Sequence, residues 1–460
     1  MSNNIVFVNV SQTTAPTPNT LQQTGAFIST GGTTNTVGSL TLLTQASSLA
    51  GMLATGAAIT SMAWSTGVVT VTTAAAHGLT VGANTYQLAI QNAIPTAYNG
   101  VYACTITTTT AFTFTLASNP GTETTPGTWA PASVIELGAM NTTFWAQGSN
   151  TPVYVLELGD SPTASAPTAL GTWITANPRT VYAFLVPRAW DGIAAYLTLA
   201  QSYQSTTSMT YFFTTTTNAT FSDYTALDKC IYAVIEPPTT VLSAEFSAAD
   251  DFWQIISQNP SSTNKVAPLA FRYAYGVTPY PVPGNGALFA AWKAAGVNWK
   301  GTGYEGGIST AIIFWGTTMD LRPFNYWYAV DWLQINIDLN ISNAVINGSN
   351  NPINPLYLNQ PGIDRLQAVG AQTLSSGVTF GMLLGQVVQS ELAGPAFGAA
   401  LDAGNFAGQA VINAVPFVAY YTASPSDYKG GVYNGFSITC TPLRGFESIT
   451  FNINVTDFVA

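Results

Sequence analysis

In this 460-residue chain, one histidine, three cysteines and a few close carboxylates are the residues able to do chemistry. His77 is the sole imidazole, and the sequence gives it no partner for a Ser-His-Asp or Cys-His site. Cys104, Cys230 and Cys440 stand far apart, forming neither a CxxC metal pair nor an even disulfide set, so buried free thiols are expected. Asp250-Asp251 beside Trp253, and Asp320 with Asp331, are the carboxylate pairs that glycoside hydrolysis would need. Adjacent Asp residues at a helix start also serve the helix dipole, and that reading is preferred for Asp250 and Asp251. No GxxxxGK[ST], HExxH or GxSxG motif is present. The expectation is a protein with no catalytic residues, no cofactor and no metal.

Charge narrows the classes further. The chain carries 11 basic and 21 acidic residues, a net charge of −10, and only 7% charged residues, against about 25% in ordinary soluble domains. The first basic residue is Arg179. Nucleic-acid binding and basic amphipathic membrane helices both need clustered Lys and Arg, so both are excluded. With 47% hydrophobic and 12% aromatic residues, the chain is no disordered segment either. Thr, Asn, Ser and Gln must solvate the surface, or neighbouring molecules must cover it. Met1-Ser2-Asn3-Asn4 lacks the positive n-region of a secretory signal, and no export leader is expected. The uncharged stretch Ser39 to Trp64 is interrupted by Thr, Ser, Gln and Gly, so no membrane insertion is expected.

The elements that must hold these residues read as follows. Asn4 to Val10, with Ile5, Phe7, Val8 and Val10 apolar on both faces, is a short β-type segment before the Pro/Thr linker Ser11–Asn19. It is either a tethered arm or an ordinary edge strand. From about Ile59 to Ala132, short strands alternate with turns, and Asn99-Gly100 is a hairpin signal; this reads as a small β-barrel or sandwich. Beyond Ala132, strands at Thr180–Val186, Met209–Phe213, Cys230–Ile235 and Ala267–Tyr275 alternate with helices at Gly192–Ser205, Ala244–Gln258 and Ala287–Ala295. That order argues for an open, mostly parallel sheet covered by helices. Around Ile335–Val345 both strand alternation and an i+4 row fit, and helix is preferred. Val415–Thr422, Gly435–Cys440 and Ser448–Val459 read as strands. In the last, Ile449, Phe451, Ile453 and Val455 share one face, which makes it a second arm candidate.

Two groups of residues resemble known families. His77-Gly78-Leu79, Gly82, Tyr98-Asn99-Gly100-Val101-Tyr102 and Phe112-Thr113-Phe114 resemble a small β-barrel module found inserted in phage tail and fibre proteins. His77, Gly78, Asn99 and Gly100 are its turn residues, and a structural role for His77 follows. Gly316-Thr-Thr-Met-Asp320, Tyr326, Asp331-Trp332-Leu333-Gln334, Gln360-Pro-Gly362-Ile363-Asp-Arg-Leu366 and Val378-Thr-Phe-Gly381 resemble the contractile tail sheath family of bacteriophages, in its branch with an Asp-Trp-Leu motif.

The resemblance implies a mixed α/β multidomain protein: an α/β open-sheet body, a C-terminal β-rich assembly domain and an inserted all-β barrel. Its parts would be an N-terminal arm and linker at 1–20, a body at 21–58 and 133–330, the barrel at 59–132, and a helical segment with the assembly domain at 331–460. It implies homo-hexameric rings stacked helically around a tail tube and linked by exchange of terminal strands. The partners would be further copies, the tube, the baseplate and a tail terminator. The location would be the virion tail, after assembly in the host cytoplasm, and contraction would drive the tube into the host. The family's interlayer charge contacts find few residues here to make them. Two rival readings stay open: an extracellular adhesin or carbohydrate-binding surface protein, and a glycan-degrading tail enzyme.

Overall fold

The computed structural model describes residues 19–238, 242–280, 286–303 and 308–448. Both arm candidates, with Ile5, Phe7, Val8, Val10, Ile449, Phe451, Ile453 and Val455, lie outside the described residues. Two compact units form. The first gathers the described residues of 21–258, 268–324 and 445–448, the second those of 19–20, 259–267 and 325–444.

In the first unit, β1 Gly25–Ser29 and β2 Leu40–Leu43 precede a barrel of β3 Ala57–Ser65, β4 Val68–Thr73, β5 Gly82–Gln91, β6 Gly100–Thr108, β7 Ala111–Thr115 and β8 Thr128–Pro131. The chain then alternates through α1 Ser133–Gln147, β9 Val153–Glu157, α2 Ala166–Ala176, β10 Ala183–Leu185, α3 Ala194–Gln201, β11 Tyr211–Thr216 and β12 Ile231–Ile235. Next come α4 Ala249–Ile256, α5 Gly286–Ala295 and the antiparallel pair β13 Trp299–Gly303 and β14 Ile308–Phe314.

Six strands form one sheet in the order β12-β11-β10-β1-β9-β2, parallel except for the edge strand β2. Every residue of β1, β10, β11 and β12 is buried, as a parallel sheet with both faces covered requires. On one face, Ala26, Phe184 and Phe212 pack with Leu170 of α2 and Tyr196 of α3. On the other, Phe27 meets Phe144 of α1 at 5.4 Å and Phe252 of α4 at 5.9 Å between ring centroids. A Cβ on Gly25 would collide with the Phe252 ring, so α4 seats only over glycine there.

The barrel closes in the order β3-β4-β7-β6-β5-β8. Val69, Val71, Ile106, Phe112 and Phe114 point inward and are buried, while alternate positions such as Val68 and Thr70 are exposed. The period of two read from the sequence is the physical signature of this closed wall. Mixed architecture, parallel body sheet and inserted barrel all match the expected fold class.

The second unit holds α6 Phe324–Ser349 from its second residue on, then α7 Gln360–Thr379, β15 Val387–Ser390, α8 Gly394–Asp402, β16 Ala410–Ala414, α9 Phe417–Ala423, α10 Pro425–Lys429 and β17 Phe436–Thr439. Residues around Ile335–Val345 are helical, as preferred.

Three local expectations fail. Val415–Thr422 is no strand: Pro416 sets the start of α9, and Phe417 and Tyr421, four apart, stack at 6.2 Å along one helix face. Ala267–Tyr275 forms no strand beyond the isolated Tyr273–Ile312 bridge, because Phe271 sits at φ 65° and breaks any extended run. Asn99-Gly100 is no two-residue hairpin turn either. Asn99 has φ −75° and instead clasps Ala93, accepting from its N–H at 2.8 Å and donating to its carbonyl at 3.0 Å. The β5–β6 connection is therefore a longer loop tied by an amide side chain.

Candidate assembly surface

The second unit's sheet is built around β16, Ala410-Val-Ile-Asn-Ala414, buried along its whole length. It pairs parallel with β15 and antiparallel with β17. Two flanking bonds set which backbone groups the ladder uses: Ala410 N–H donates to Gln386 O at 3.0 Å, and Val415 N–H to Gly435 O at 3.0 Å. Continuing both patterns, Val388 and Ser390 face β16 from one side, and Ser437 and Thr439 from the other. The backbone groups of Val387 and Gln389, and of Phe436 and Ile438, then point outward. Among the described residues neither outer edge has a strand partner. Natural edge strands are usually guarded by a charge, a proline or a bulge. Val387-Val-Gln-Ser390 and Phe436-Ser-Ile-Thr439 carry none of these.

Helix α7 fixes this sheet from behind. Gln367, buried, donates to Ser390 O at 2.8 Å and Ile412 O at 3.1 Å, tying β15 to β16. A Cβ on Gly370 would strike Ile412, so the helix approaches at glycine distance. Asn413 clasps Leu392 through both its N–H and its carbonyl at 2.9 Å.

The residues singled out in the sequence fall as follows. Gly362 lies in the first turn of α7, where its N–H donates to the Asn359 cap at 3.0 Å and a side chain would run into Tyr357 O. Ile363 is buried and Leu366 half-buried on the same helix. In α6, Asp331 is fully buried, Leu333 is half-buried, and the Trp332 ring meets Phe380 edge-on at 5.8 Å. These motif residues build the helical scaffold; none of them lies on the open edges.

Gly316-Thr-Thr-Met-Asp320 belongs to the first unit and is pinned by Asn298, whose Oδ1 accepts from Gly316 and Thr317 N–H, both at 2.8 Å. In the barrel, His77 Nε2 donates to Thr108 O at 2.7 Å and its Nδ1 accepts from Leu79 N–H at 3.1 Å. Gly78 takes φ 76° directly after it. The imidazole ties a turn to β6, a structural task.

Three of the four glycosidase candidates, Asp250, Asp251 and Asp331, are buried away from any sugar. Asp250 and Asp251 are 0% exposed. Asp320 is occupied locally, accepting from Thr318 Oγ1 at 2.6 Å and Arg322 N–H at 3.1 Å. Asp250 and Asp251 stand in the first turn of α4, as the dipole reading expects, and both also face the buried ammonium of Lys300.

No protein-family model and no curated protein matches the chain. Among solved structures, the helical sheath of the anti-feeding prophage in its contracted state superposes with a TM-score of 0.50. It is 10% identical and covers 99% of both chains. The chain has the fold of a contractile sheath subunit. A sheath tail protein of Listeria innocua, at 10% identity, covers 80% of this chain and 87% of its own with a TM-score of 0.37.

Within this sheath fold, two features escaped the sequence reading. One is the pair of open edges: β15 and β17 are four residues each, too short to stand out from neighbouring loops. The other is buried charge. In the body, Arg188 grips Glu236 through Nε at 2.7 and 2.9 Å and packs over Phe246 at 4.4 Å. Arg188 N–H also donates to Glu136 at 3.2 Å. Cys104 and Cys230 are buried, with burial pushing each thiol up to about 12, whereas Cys440 is only half-buried.

Burial pushes the Glu136 carboxyl up to about 7, with Arg188 pulling the other way and Glu236 adding to the rise. The unfolded chain loses this proton near pH 4.5 and the folded chain keeps it to about 7. Stability therefore falls as pH rises through that window, by about 3 kcal/mol at most. Glu136→Gln is expected to remove this slope and to gain about 1–3 kcal/mol at pH 8. Thermal unfolding of both proteins between pH 5 and 8 measures it, and parallel curves would contradict it.

Proposed function

We propose that the chain polymerises as the contractile sheath of a phage-like tail, its subunits joined by terminal strands added to a neighbour's sheet. The observation that carries this is the full-length match to a helical sheath, together with two unguarded strand edges on one small sheet. Strand addition takes affinity from main-chain hydrogen bonds and register from alternate side chains. The segment 4–10, on its Pro/Thr tether, and the segment 448–459, with Ile449, Phe451, Ile453 and Val455 on one face, are two chains of suitable length and pattern. Each open edge of β15 and β17 receives one such strand from another copy, so the polymer is a connected mesh.

Contraction then consists of bodies sliding and rotating between two packings while the exchanged strands hold the connections. The energy is stored at assembly, and no nucleotide is needed. Subunits form hexameric rings around a tail tube, bounded by the baseplate and a terminator. The apolar ledge of Phe417, Tyr421 and Tyr428, whose rings lie 5.2–6.2 Å apart, with Val418 71% exposed beside it, supports a surface that neighbours cover.

Negative-stain microscopy of the purified chain is expected to show rings or tubes. A species that stays monomeric at high concentration and binds glycans would favour the adhesin reading instead.

A further inference from the structure

The core of the body holds a cluster that assembly does not use. Asp250 and Asp251 sit in the first turn of α4, and Lys300 is the second residue of β13. Their side chains are 0%, 0% and 2% exposed. Lys300 Nζ touches Asp251 Oδ2 and lies 3.0 Å from Asp250 Oδ2. On the far side, the Tyr232 hydroxyl donates to Asp251 Oδ1 at 2.9 Å. No hydrogen-bond donor among the described residues reaches Asp250 Oδ1. The walls are aromatic: Tyr232 stacks on Phe213 at 4.9 Å, and Phe213 meets Phe252 edge-on at 5.5 Å.

Two carboxylates and one ammonium cannot all stay charged in such a place, because one negative charge would be left uncompensated in a dry core. A proton resolves this. Burial, and then the neighbouring Asp251, push the Asp250 carboxyl up to about 7, so it keeps its proton well above the usual carboxylate range. The site therefore contains an amine, the carboxyl it touches, a second carboxyl 3.0 Å from the amine, and a hydroxyl donor on the oxygen opposite the amine.

We propose that Lys300 and Asp251 join in an intramolecular isopeptide bond, with Asp250 as the catalytic acid and Tyr232 as the oxyanion donor. Lys300 first passes a proton to Asp251, giving a neutral amine and a carboxylic acid, a pair that suits an apolar cavity better than two ions. Nζ then attacks Asp251 Cγ, and the new N–C bond pushes electrons onto Oδ1, where the Tyr232 hydroxyl steadies the charge. Asp250 takes a proton from the nitrogen and delivers one to Oδ2. The C–Oδ2 bond breaks, Oδ2 leaves as water, and Oδ1 remains as the amide carbonyl. One amide forms, one water is released, and nothing is oxidised or reduced. Fixed proximity replaces activation by a cofactor. The product ties α4 to β13 covalently, across a sequence separation of 49 residues.

Intact-mass measurement of the full-length, denatured chain tests this. The wild type is expected to weigh one water less than its sequence, and a protease digest should yield one branched peptide joining Asp251 to Lys300. Asp250→Asn keeps the shape of the acid but cannot shuttle the proton, and Lys300→Met removes the nucleophile. Both are expected at full sequence mass, with circular dichroism reporting whether each is folded. If Lys300→Met does not fold, a folded Asp250→Asn at full mass beside a light wild type still carries the assignment. A folded wild type at full mass overturns the proposal. So does a water loss that maps to a succinimide, or one that persists in Asp250→Asn.

Discussion

Gln389→Pro and Ile438→Pro are each expected to give a folded subunit that no longer forms tubes. Both residues carry N–H groups that point away from β16 by the ladder pattern set at Ala410 and Val415. Proline there leaves the internal ladder intact and removes a donor from the edge an incoming strand would use. Gln389 is exposed, so its replacement costs little packing, while Ile438 is half-buried and loses somewhat more. An added strand of about five residues makes several backbone hydrogen bonds, each worth about 1 kcal/mol net. Three or four buried apolar side chains add about 1.5–3 kcal/mol each. Losing most of that raises the concentration needed for polymerisation by about a thousandfold or more. Deleting residues 1–10 or 449–460 should have the same effect from the donor side. Sedimentation and negative-stain microscopy read both experiments. Tubes from both deletions would sink the arm assignment, and tubes from both proline variants would show that these edges are not the acceptors.

Much of the fold was legible because it is written in periodicity. The barrel's alternation around Val68–Thr73 and the buried runs Phe212–Thr216 and Ile231–Ile235 reflect burial on one face or two, which sequence encodes directly. What failed were positions where one contact overrides the local pattern. Asn99-Gly100 has the composition of a tight turn, yet Asn99 is used to clasp Ala93 from six residues away. Val415–Thr422 is an apolar and aromatic run that reads as a strand, but Pro416 and the Phe417–Tyr421 pair favour a helical turn. The assembly surface was half legible. The proposed arms show as patterned terminal segments, whereas the open edges of β15 and β17 exist only because β16 lies between them. Lys300 was invisible as a partner of Asp250 and Asp251, since nothing local links residues 49 apart.

The scarcity of charge also takes on a different meaning. Of the few ionisable groups, Glu136, Glu157, Lys229, Glu245, Asp250, Asp251, Lys300 and Asp331 are buried, so the surface is poorer in charge than the composition states. Glu157 alone accepts from Ser29, Gly31, Thr33 and Gly159 to close a loop beside the sheet. These buried charges serve as internal fasteners. A surface left to Thr, Asn and exposed aromatics has little to desolvate when another subunit covers it, which agrees with the polymer reading.

Asn298→Ala is expected to be the most damaging single substitution in the body. The side chain is 0% exposed and uses all its capacity. Oδ1 accepts from Gly316 and Thr317 N–H at 2.8 Å, and Nδ2 donates to Thr317 O at 2.7 Å and Ala233 O at 3.1 Å. It joins β12 to the loop after β14, where Gly316, at φ 76°, packs so closely on Leu269 that no side chain fits. Alanine strands three buried backbone groups at once, Gly316 N–H, Thr317 N–H and Thr317 O, while Ala233 O keeps its bond from the Asn298 N–H at 2.9 Å. At about 1–3 kcal/mol for each unsatisfied group, the loss is about 3 kcal/mol or more, a large share of the 5–15 kcal/mol that typically holds a domain. Asn298→Asp should be no better, because the acceptor that replaces Nδ2 faces two carbonyl oxygens. The melting temperature is expected to fall by about 10 °C or more. Asn119→Ala, whose carboxamide bonds only the exposed Gly121 N–H at 2.9 Å, should stay within about 1 kcal/mol of the wild type. If Asn298→Ala melts with the wild type, the loop is held by its own turn and the glycine contact, and the asparagine merely fills space.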